Sequence, residues 1–482
     1  MAYTYSENLR KKIGVQDGSR GIYERTISGT SLRENPVPEN TAEDKENPIL
    51  ILKDPHTGRK IGISKERLSL GLLALASAGG GKTNFFRGLV ESILESMGDQ
   101  DILVIFDTKG DYYRTFGKWI SVENKVVMGT GAEYKNMTRY PNLFAEIMCR
   151  DSNENLIYTE EVEENVREIA GQIFSQMKSE TQPVYPAMAQ QILEVLMIYM
   201  IRTYWKKAPS KLNNRELLNL TGRSCAADVE RILNLEYMSD YRSCISYISA
   251  KSGKMGLGVM AYVSTVVRKI LVGTFAKADP ARGFSMREIM TDRKKKVVFI
   301  EYDLQRGETL APMYGLLLDQ GLKYALGGRE EKRKNVYFLM DEYILLPRLD
   351  YIGRGLSFGR SQGVKIIAGV QNIKALENIY GEAEAKNILS GFQNLFAFKM
   401  ADHDTRQYVT DRLGTNYKSI AYSSQCTEMH VQREGHAVEE WELQDMGSGK
   451  GKAVVELAGE RAFFFDVPKY EDGSSPEYRI MV

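Results

Sequence analysis

Residues 76–83 read ASAGGGKT; they follow the apolar run LGLLALA (70–76) and precede the helical pattern NFFRGLVESILESM. A strand, a Gly-rich loop, Lys-Thr and a helix in that order suit a phosphate. Small residues let successive backbone N–H groups converge on the anion, and the helix N-terminus adds its dipole. A Lys neutralises β/γ charge and a hydroxyl joins a Mg²⁺ shell. Ser77, Ala78, Gly79, Gly80, Gly81, Lys82 and Thr83 supply these parts, so the sequence predicts a P-loop for ATP and Mg²⁺. Ala76 stands where the G-x-x-x-x-G-K-[ST] pattern has its first glycine, a change that is tolerable at negative φ and strained at positive φ. The competing reading, a Gly-rich turn that only caps a helix, is opposed by the flanking strand and helix.

Phosphoryl transfer also needs a carboxylate for the metal shell and a base for water. VYFLMDEY places Asp341 and Glu342 at the C-terminal end of an apolar run, the end at which open α/β sheets bind ligands. Asp341 is expected to serve the Mg²⁺ shell and Glu342 to polarise the attacking water; a strand-end cap is the plainer alternative. Gln371 ends the run VKIIAGV and can orient water or sense the γ-phosphate if its strand faces the same edge. Arg360 follows Asp341 across a stretch read as helix. At about 1.5 Å per residue that stretch is too long for Arg360 to reach its own site; it could reach a neighbour's in trans as an arginine finger, and a partner for the helix C-terminal dipole is the plainer alternative.

The elements that must position these residues emerge from the apolar pattern. Short runs, ILIL (49–52), LGLLALA, ILVIFD (102–107), VVFIEY (297–302), VYFLMD (336–341), VKIIAGV (364–370) and NLFAFKM (394–400), alternate with amphipathic segments. That alternation predicts an α/β fold with one large, mostly parallel sheet. From about Tyr158 to Lys277 only helical spacing is visible, so an all-α insertion is expected there. The division predicted is an extended or disordered arm (1–47), a first nucleotide-binding part (48–157), the insertion (158–277) and a second nucleotide-binding part (278–482). That last part ends in a hairpin, KAVVELA and RAFFFDV, turning at Gly459 and Glu460.

Composition narrows the function classes. Of 482 residues, 43% are hydrophobic and 26% charged, and Lys plus Arg (64) balances Asp plus Glu (63) for a net charge of +1. No global basic field draws the chain to nucleic acid, so any DNA contact is local. The apolar runs are shorter than the ~20 residues of a spanning helix, and the start MAYTYSENLRKK lacks a secretory h-region. Four scattered cysteines (Cys149, Cys225, Cys244, Cys426) without CxxC spacing suit a reducing compartment. A soluble, cytoplasmic protein is expected.

The blocks ASAGGGKT, FDTKGDYYRTFG (106–117), FLMDEYILLPRLDYIGRGLSFGRSQGVKIIAGVQNIKALENIYG (338–381) and ADHDTRQYVTDRLG (401–414) occur in this order. Together they resemble the type IV secretion coupling proteins, the TraG/TraD-type conjugative ATPases in the FtsK/HerA branch of the RecA-like P-loop superfamily. The resemblance covers about Pro48 to Pro468. It implies a RecA-like P-loop ATPase domain with an inserted all-α domain, and a homo-hexamer that uses ATP to translocate DNA and deliver it, relaxase attached, to a type IV secretion channel. It also implies that Asp341 and Glu342 form the Walker B pair, Arg360 the trans finger and Gln371 the γ-phosphate sensor. Members of the family commonly begin with transmembrane helices, so membrane recruitment of this chain is expected to come from a partner protein or to be absent.

Other signals carry less. KSGK (251–254), RKKK (293–296) and REEKRK (329–334) are basic, and KSGK is the preferred DNA-facing loop; charged turns before strands explain the other two. Cys426, His430 and His436 lack a fourth ligand for zinc. Two rival readings stay open: a secretion ATPase that moves protein substrates without gripping DNA, and a nucleotide-binding adaptor with a degenerate P-loop.

Overall fold

The computed structural model describes residues 21–32, 48–175 apart from 152 and 154, 184–249, 253–277, 282–327 apart from 293, 335–423, 428–446 and 451–470. Nine strands make a central, mostly parallel sheet. In chain order they are β1 (Leu72–Leu75), β2 (Ile102–Asp107), β3 (Lys125–Met128), β4 (Lys296–Glu301), β5 (Val336–Met340), β6 (Val364–Val370), β7 (Asn394–Ala397), β8 (Lys452–Glu456) and β9 (Phe463–Asp466). The helices that matter below are α1 (Lys82–Ser96), α2 (Asp111–Phe116), α3 (Glu160–Ser175), α4 (Val184–Tyr204), α5 (Lys254–Ile270), α6 (Met286–Thr291), α7 (Gly307–Leu326) and α8 (Ile352–Gln362). The chain divides into two compact units, residues 1–96 with 367–482, and residues 97–366.

In the first unit β6 and β7 flank β1 in parallel, with Val370 and Ala397 both in register with Leu75. β8 pairs antiparallel with β7, and β9 with β8. Side chains of β1 and β7 are buried throughout, which is why these strands read as unbroken apolar runs rather than alternating ones. The β8–β9 hairpin forms, but its strands stop short of the expected two-residue turn. Pairing ends at Val455 with Phe463, and the connection turns through a hydrogen bond from the Glu460 N–H to the Leu457 carbonyl. The run ILIL lies in a separate antiparallel ribbon, Pro48–Lys53 with Lys60–Ser64, and not in the central sheet. Part of the expected N-terminal arm, Gly21–Gly29, is a strand paired antiparallel with Thr415–Ser423, which pairs in turn with Glu428–His436.

The second unit orders its strands β5–β2–β4–β3, all parallel. Among the described residues between 158 and 277 every regular element is helical. α4 is long and apolar enough to cross a membrane by length and composition. Its Ile192, Leu193, Val195, Leu196 and Ile198 are fully buried, and it packs between α3 and α5. The root of this helical region is pinned by a short parallel pair, Tyr140–Pro141 with Gly283–Phe284. Beside it Glu146, 1% exposed, accepts from the backbone N–H groups of Met286 (2.6 Å) and Arg287 (2.9 Å) and so caps α6.

Burial pushes the Glu146 carboxyl up from 4.5 to about 7 although those two N–H groups favour its charged form. Burial does the same to Asp319 on α7, raised to about 7 against the N–H of Tyr351, with Asp350 and Glu168 adding repulsion. Between the ordinary carboxyl range and about 7 the folded chain therefore holds protons that the unfolded chain has released, and stability falls as pH rises through that window. Urea denaturation is expected to give a higher midpoint at pH 6 than at pH 8; a midpoint that rises over the same interval would contradict this account.

Candidate functional site

The first unit builds a phosphate-sized cradle from backbone. The Ala76 N–H continues the sheet by donating to the Val370 carbonyl (3.2 Å), and the Ser77 N–H donates to the Lys399 carbonyl (2.9 Å). The Ser77 hydroxyl accepts from the Ala401 N–H (2.8 Å), and the Gly80 N–H closes the turn on the Ser77 carbonyl (2.9 Å). Ala76 thus sits in extended pairing, fully buried, which removes the strain that a methyl at this position would cause in a left-handed turn. The demand falls on the glycines instead. A Cβ on Gly80 would meet the Ser77 carbonyl at 3.0 Å, the Ala76 methyl at 3.1 Å and the Lys399 carbonyl at 3.1 Å, while Gly81 has φ +117.

α1 then begins at Lys82, which is buried, and Phe85 anchors the helix by stacking on Phe396 of β7 (centroids 4.3 Å). Gln371 follows Val370, the residue whose carbonyl holds Ala76. The strand before Gln371, β6, lies between β1 and β5 in the sheet, so the condition set by the sequence, that this strand neighbours the one before Asp341, is met, and β6 also leads to the loop 76–83.

The second unit holds Asp341, Glu342 and Arg360. Asp341 and Glu342 follow β5 and are 6% and 7% exposed; the Asp341 N–H reaches the Phe106 carbonyl on β2 (3.4 Å). Arg360 is exposed in the last turn of α8. α8 has 11 residues, not 19, because the chain from Leu346 to Asp350 is irregular. The long helical span expected between Asp341 and Arg360 is therefore absent, and α8 instead ends near the start of β5. Gly363, just past α8, accepts from the N–H of Val336 at the start of β5, whereas Asp341 lies beyond its far end, about 17 Å away at ~3.3 Å per residue.

Sequence reasoning assigned no role to Asp107, which ends β2 between β5 and β4. Its carboxylate, 1% exposed, accepts from four backbone N–H groups, those of Lys109 (3.2 Å), Asp111 (3.1 Å), Tyr112 (3.0 Å) and Tyr113 (3.2 Å), and so fixes the turn into α2. Burial raises its carboxyl above the ordinary value, with the N–H groups pulling the other way. Glu301, opposite it at the end of β4, is pushed up to about 7 by burial and by the charges of Glu133 and Asp107. The signal available was an Asp closing an apolar run just before Lys-Gly-Asp.

Of the basic clusters, RKKK spends its described lysines locally: Lys294 pairs with Asp292 (3.6 Å), Lys295 donates to the Met97 carbonyl (3.1 Å) and Lys296 to the Glu123 carbonyl. Residues 251–252 of KSGK, all of REEKRK (329–334) and Cys426 lie outside the described residues.

In the first unit a strand, a glycine cradle, a buried Lys and a helix N-terminus follow one another in the order of a P-loop nucleotide-binding protein, and in the second an Asp-Glu pair ends a parallel strand. Comparison then gives the family. The family model described as the type IV secretion-system coupling protein DNA-binding domain matches residues 57–428, and the chain belongs to that family. It is 24% identical over 171 residues to the coupling protein TraD of Escherichia coli and 29% identical over 137 residues to VirD4 of Agrobacterium fabrum. Those matches cover 35% and 27% of this chain, and only 24% and 20% of the relatives' own lengths. Among solved structures, the conjugative coupling protein TrwB lacking its first 70 residues superposes with TM-score 0.71 at 18% identity, covering 94% of this chain and 96% of that one. TrwB bound to the ATP analogue ADPNP gives 0.70 at 18% identity, covering 94% and 97%. The shared fold is that of a P-loop ATPase domain with a central mixed sheet.

The cradle makes a direct forecast. Gly80→Ala is expected to weaken binding of a fluorescent ATP analogue on the order of tenfold or more, since clearing its contacts costs about 1–3 kcal/mol. Ala76→Gly should leave affinity within about threefold, since its methyl meets no demand for positive φ. Equal affinities in wild type and Gly80→Ala would show that the loop does not hold phosphate.

Proposed function

We propose that this chain is the ATP-driven motor of a conjugative coupling protein, a hexamer that moves DNA towards a type IV secretion channel. The observation that carries the reading is the backbone cradle of residues 76–83 in a chain of the coupling-protein family. TrwB has been solved with ADPNP and with ADP and Mg²⁺, which supports ATP as substrate and Mg²⁺ as cofactor here.

In this reading Lys82 neutralises charge on the β- and γ-phosphates and the N–H groups of the loop fix their position. Thr83 and Asp341 hold Mg²⁺, which when bound compensates the charge that develops in phosphoryl transfer. Glu342, buried beside Asp341, polarises the attacking water and takes its proton, and Gln371, one residue past the carbonyl that holds Ala76, senses the γ-phosphate. Arg360, a β-strand's length from its own Asp341, completes the site of a neighbouring subunit. The helical insertion handles DNA with its relaxase, and a membrane partner holds the ring at the cytoplasmic face of the channel.

A second reading, a secretion ATPase with protein cargo, draws support from the net charge of +1 and from the local engagement of Lys294, Lys295 and Lys296. ATP turnover measured against protein concentration, with and without DNA, separates the two. Wild-type specific activity is expected to rise with concentration and with DNA. Arg360→Ala should lose on the order of 10³-fold at any concentration, and Glu342→Gln should keep ATP binding while losing turnover. DNA-indifferent turnover would favour protein cargo, and a Glu342→Gln protein at wild-type rate would refute the assigned base.

A further inference from the structure

Tyr351, the residue before α8, is held at both ends. Its backbone N–H donates to Asp319 Oδ1 on α7 (2.7 Å), and its phenol donates to Glu168 Oε1 on α3 (3.1 Å). The second oxygen of Asp319 accepts from Gln172 Nε2 on α3 (2.9 Å), and Gln172 Oε1 accepts from Gln320 Nε2 (2.8 Å). Gln172, Asp319 and Gln320 are 7%, 3% and 1% exposed. Glu168 also pairs with Lys323 of α7. Such a network, buried at Gln172, Asp319 and Gln320 and half-buried at Glu168 and Tyr351, favours one arrangement, because a rearrangement leaves polar groups at its core unpaired away from water.

The network joins two parts to which different tasks have been given. α3 opens the helical insertion and is fastened to the rest of it by Arg202 of α4, which bonds Glu163 of α3 (2.6 Å) and forks onto both oxygens of Asp240 (2.9 and 2.6 Å). α8 carries Arg360 in its last turn. From Tyr351 to Arg360 is about 14 Å of helix, so a tilt of about 10° at the Tyr351 end displaces the Arg360 end by about 2 Å. A misplacement of about 1 Å at a reacting centre is enough to cost on the order of 10²-fold in rate.

We propose that Glu168, Gln172, Asp319 and Tyr351 are positioning residues. They form a partly buried polar strut through which the helical insertion sets the orientation of α8, so that cargo held by the insertion governs how Arg360 serves the neighbouring subunit. This rests on the reading of Arg360 as a trans finger and of the insertion as the part that holds DNA. None of the four residues touches nucleotide in that reading; they act through the helix. The strut also explains why the insertion's first helix presents Glu168 and Gln172, one turn apart, towards α7 and the start of α8.

The test uses the full chain with Gln172→Met, Tyr351→Phe and the double substitution, which keep side-chain volume while removing strut hydrogen bonds. Three quantities are read: ATP turnover with and without single-stranded DNA, DNA affinity, and hydrogen exchange of residues 352–362. The double variant is expected to keep DNA-free turnover and DNA affinity within about twofold while its DNA-stimulated rate falls to the DNA-free rate, as loss of a coupling free energy requires. Amides in the first turn of α8 should exchange on the order of tenfold faster. A double variant stimulated as strongly as wild type, or one that loses DNA-free turnover in the same proportion, would overturn the strut. A wild type that DNA binds without stimulating would overturn the cargo reading and the signal assigned to the strut. Arg360→Ala, inactive with or without DNA, separates failure of the finger from failure of the strut.

Discussion

Backbone N–H groups converge on a phosphate only where side chains stay clear, and in the first unit that constraint is concentrated between Ser77 and Gly81. The carbonyls of Ser77 and Lys399 and the methyl of Ala76 already occupy the space that a Cβ on Gly80 would enter. β7 must therefore run close beside β1 and its continuation, Phe398–Ala401, must pass behind the loop, which the hydrogen bonds of Phe398, Ser77 and Ala401 enforce. Helix α1 starts where it does because Phe85 finds Phe396 beneath it. The loop, two strands and a helix form one packing problem with a glycine at its centre.

In the second unit the governing difficulty is charge. Parallel strands end on the same edge, so Asp107, Glu301, and Asp341 with Glu342 all close neighbouring strands on one side of the sheet. Carboxylates gathered in this way repel one another, and burial makes the repulsion worse. The chain answers with backbone: four N–H groups surround Asp107, and the N–H of Thr130 reaches Glu301 (3.2 Å).

Much of this was legible in the sequence, for physical reasons that differ from residue to residue. Fully buried parallel strands announce themselves as unbroken apolar runs, so six of the seven runs fell in the central sheet, and the glycines before Lys82 have few other uses. ILIL misled because a two-stranded ribbon lying over the core is as apolar as a central strand; the pattern reports burial and says nothing of the partner. The stretch after Asp341 was read as continuous helix although Pro347 and the turn residues up to Asp350 break it, and α8 came out too long. Asp107 was invisible because its role depends on where four N–H groups point after the chain has folded. The bonds from Gln172 to Asp319 cross 147 residues, a separation that no local pattern encodes.

The short parallel pair at the root of the helical insertion has a bearing on how this fold can change. β3 and β4 are neighbours in the sheet, with Val297 in register with Lys125, yet the whole insertion lies between them in sequence. Loop-closure entropy grows only slowly with length. With Tyr140–Pro141 fastened to Gly283–Phe284, the sheet meets the insertion as though it were a brief connection. Helices beyond that fastening can be lengthened, exchanged or recoded while the strands keep their register, so that one part of the chain can change without disturbing the sheet.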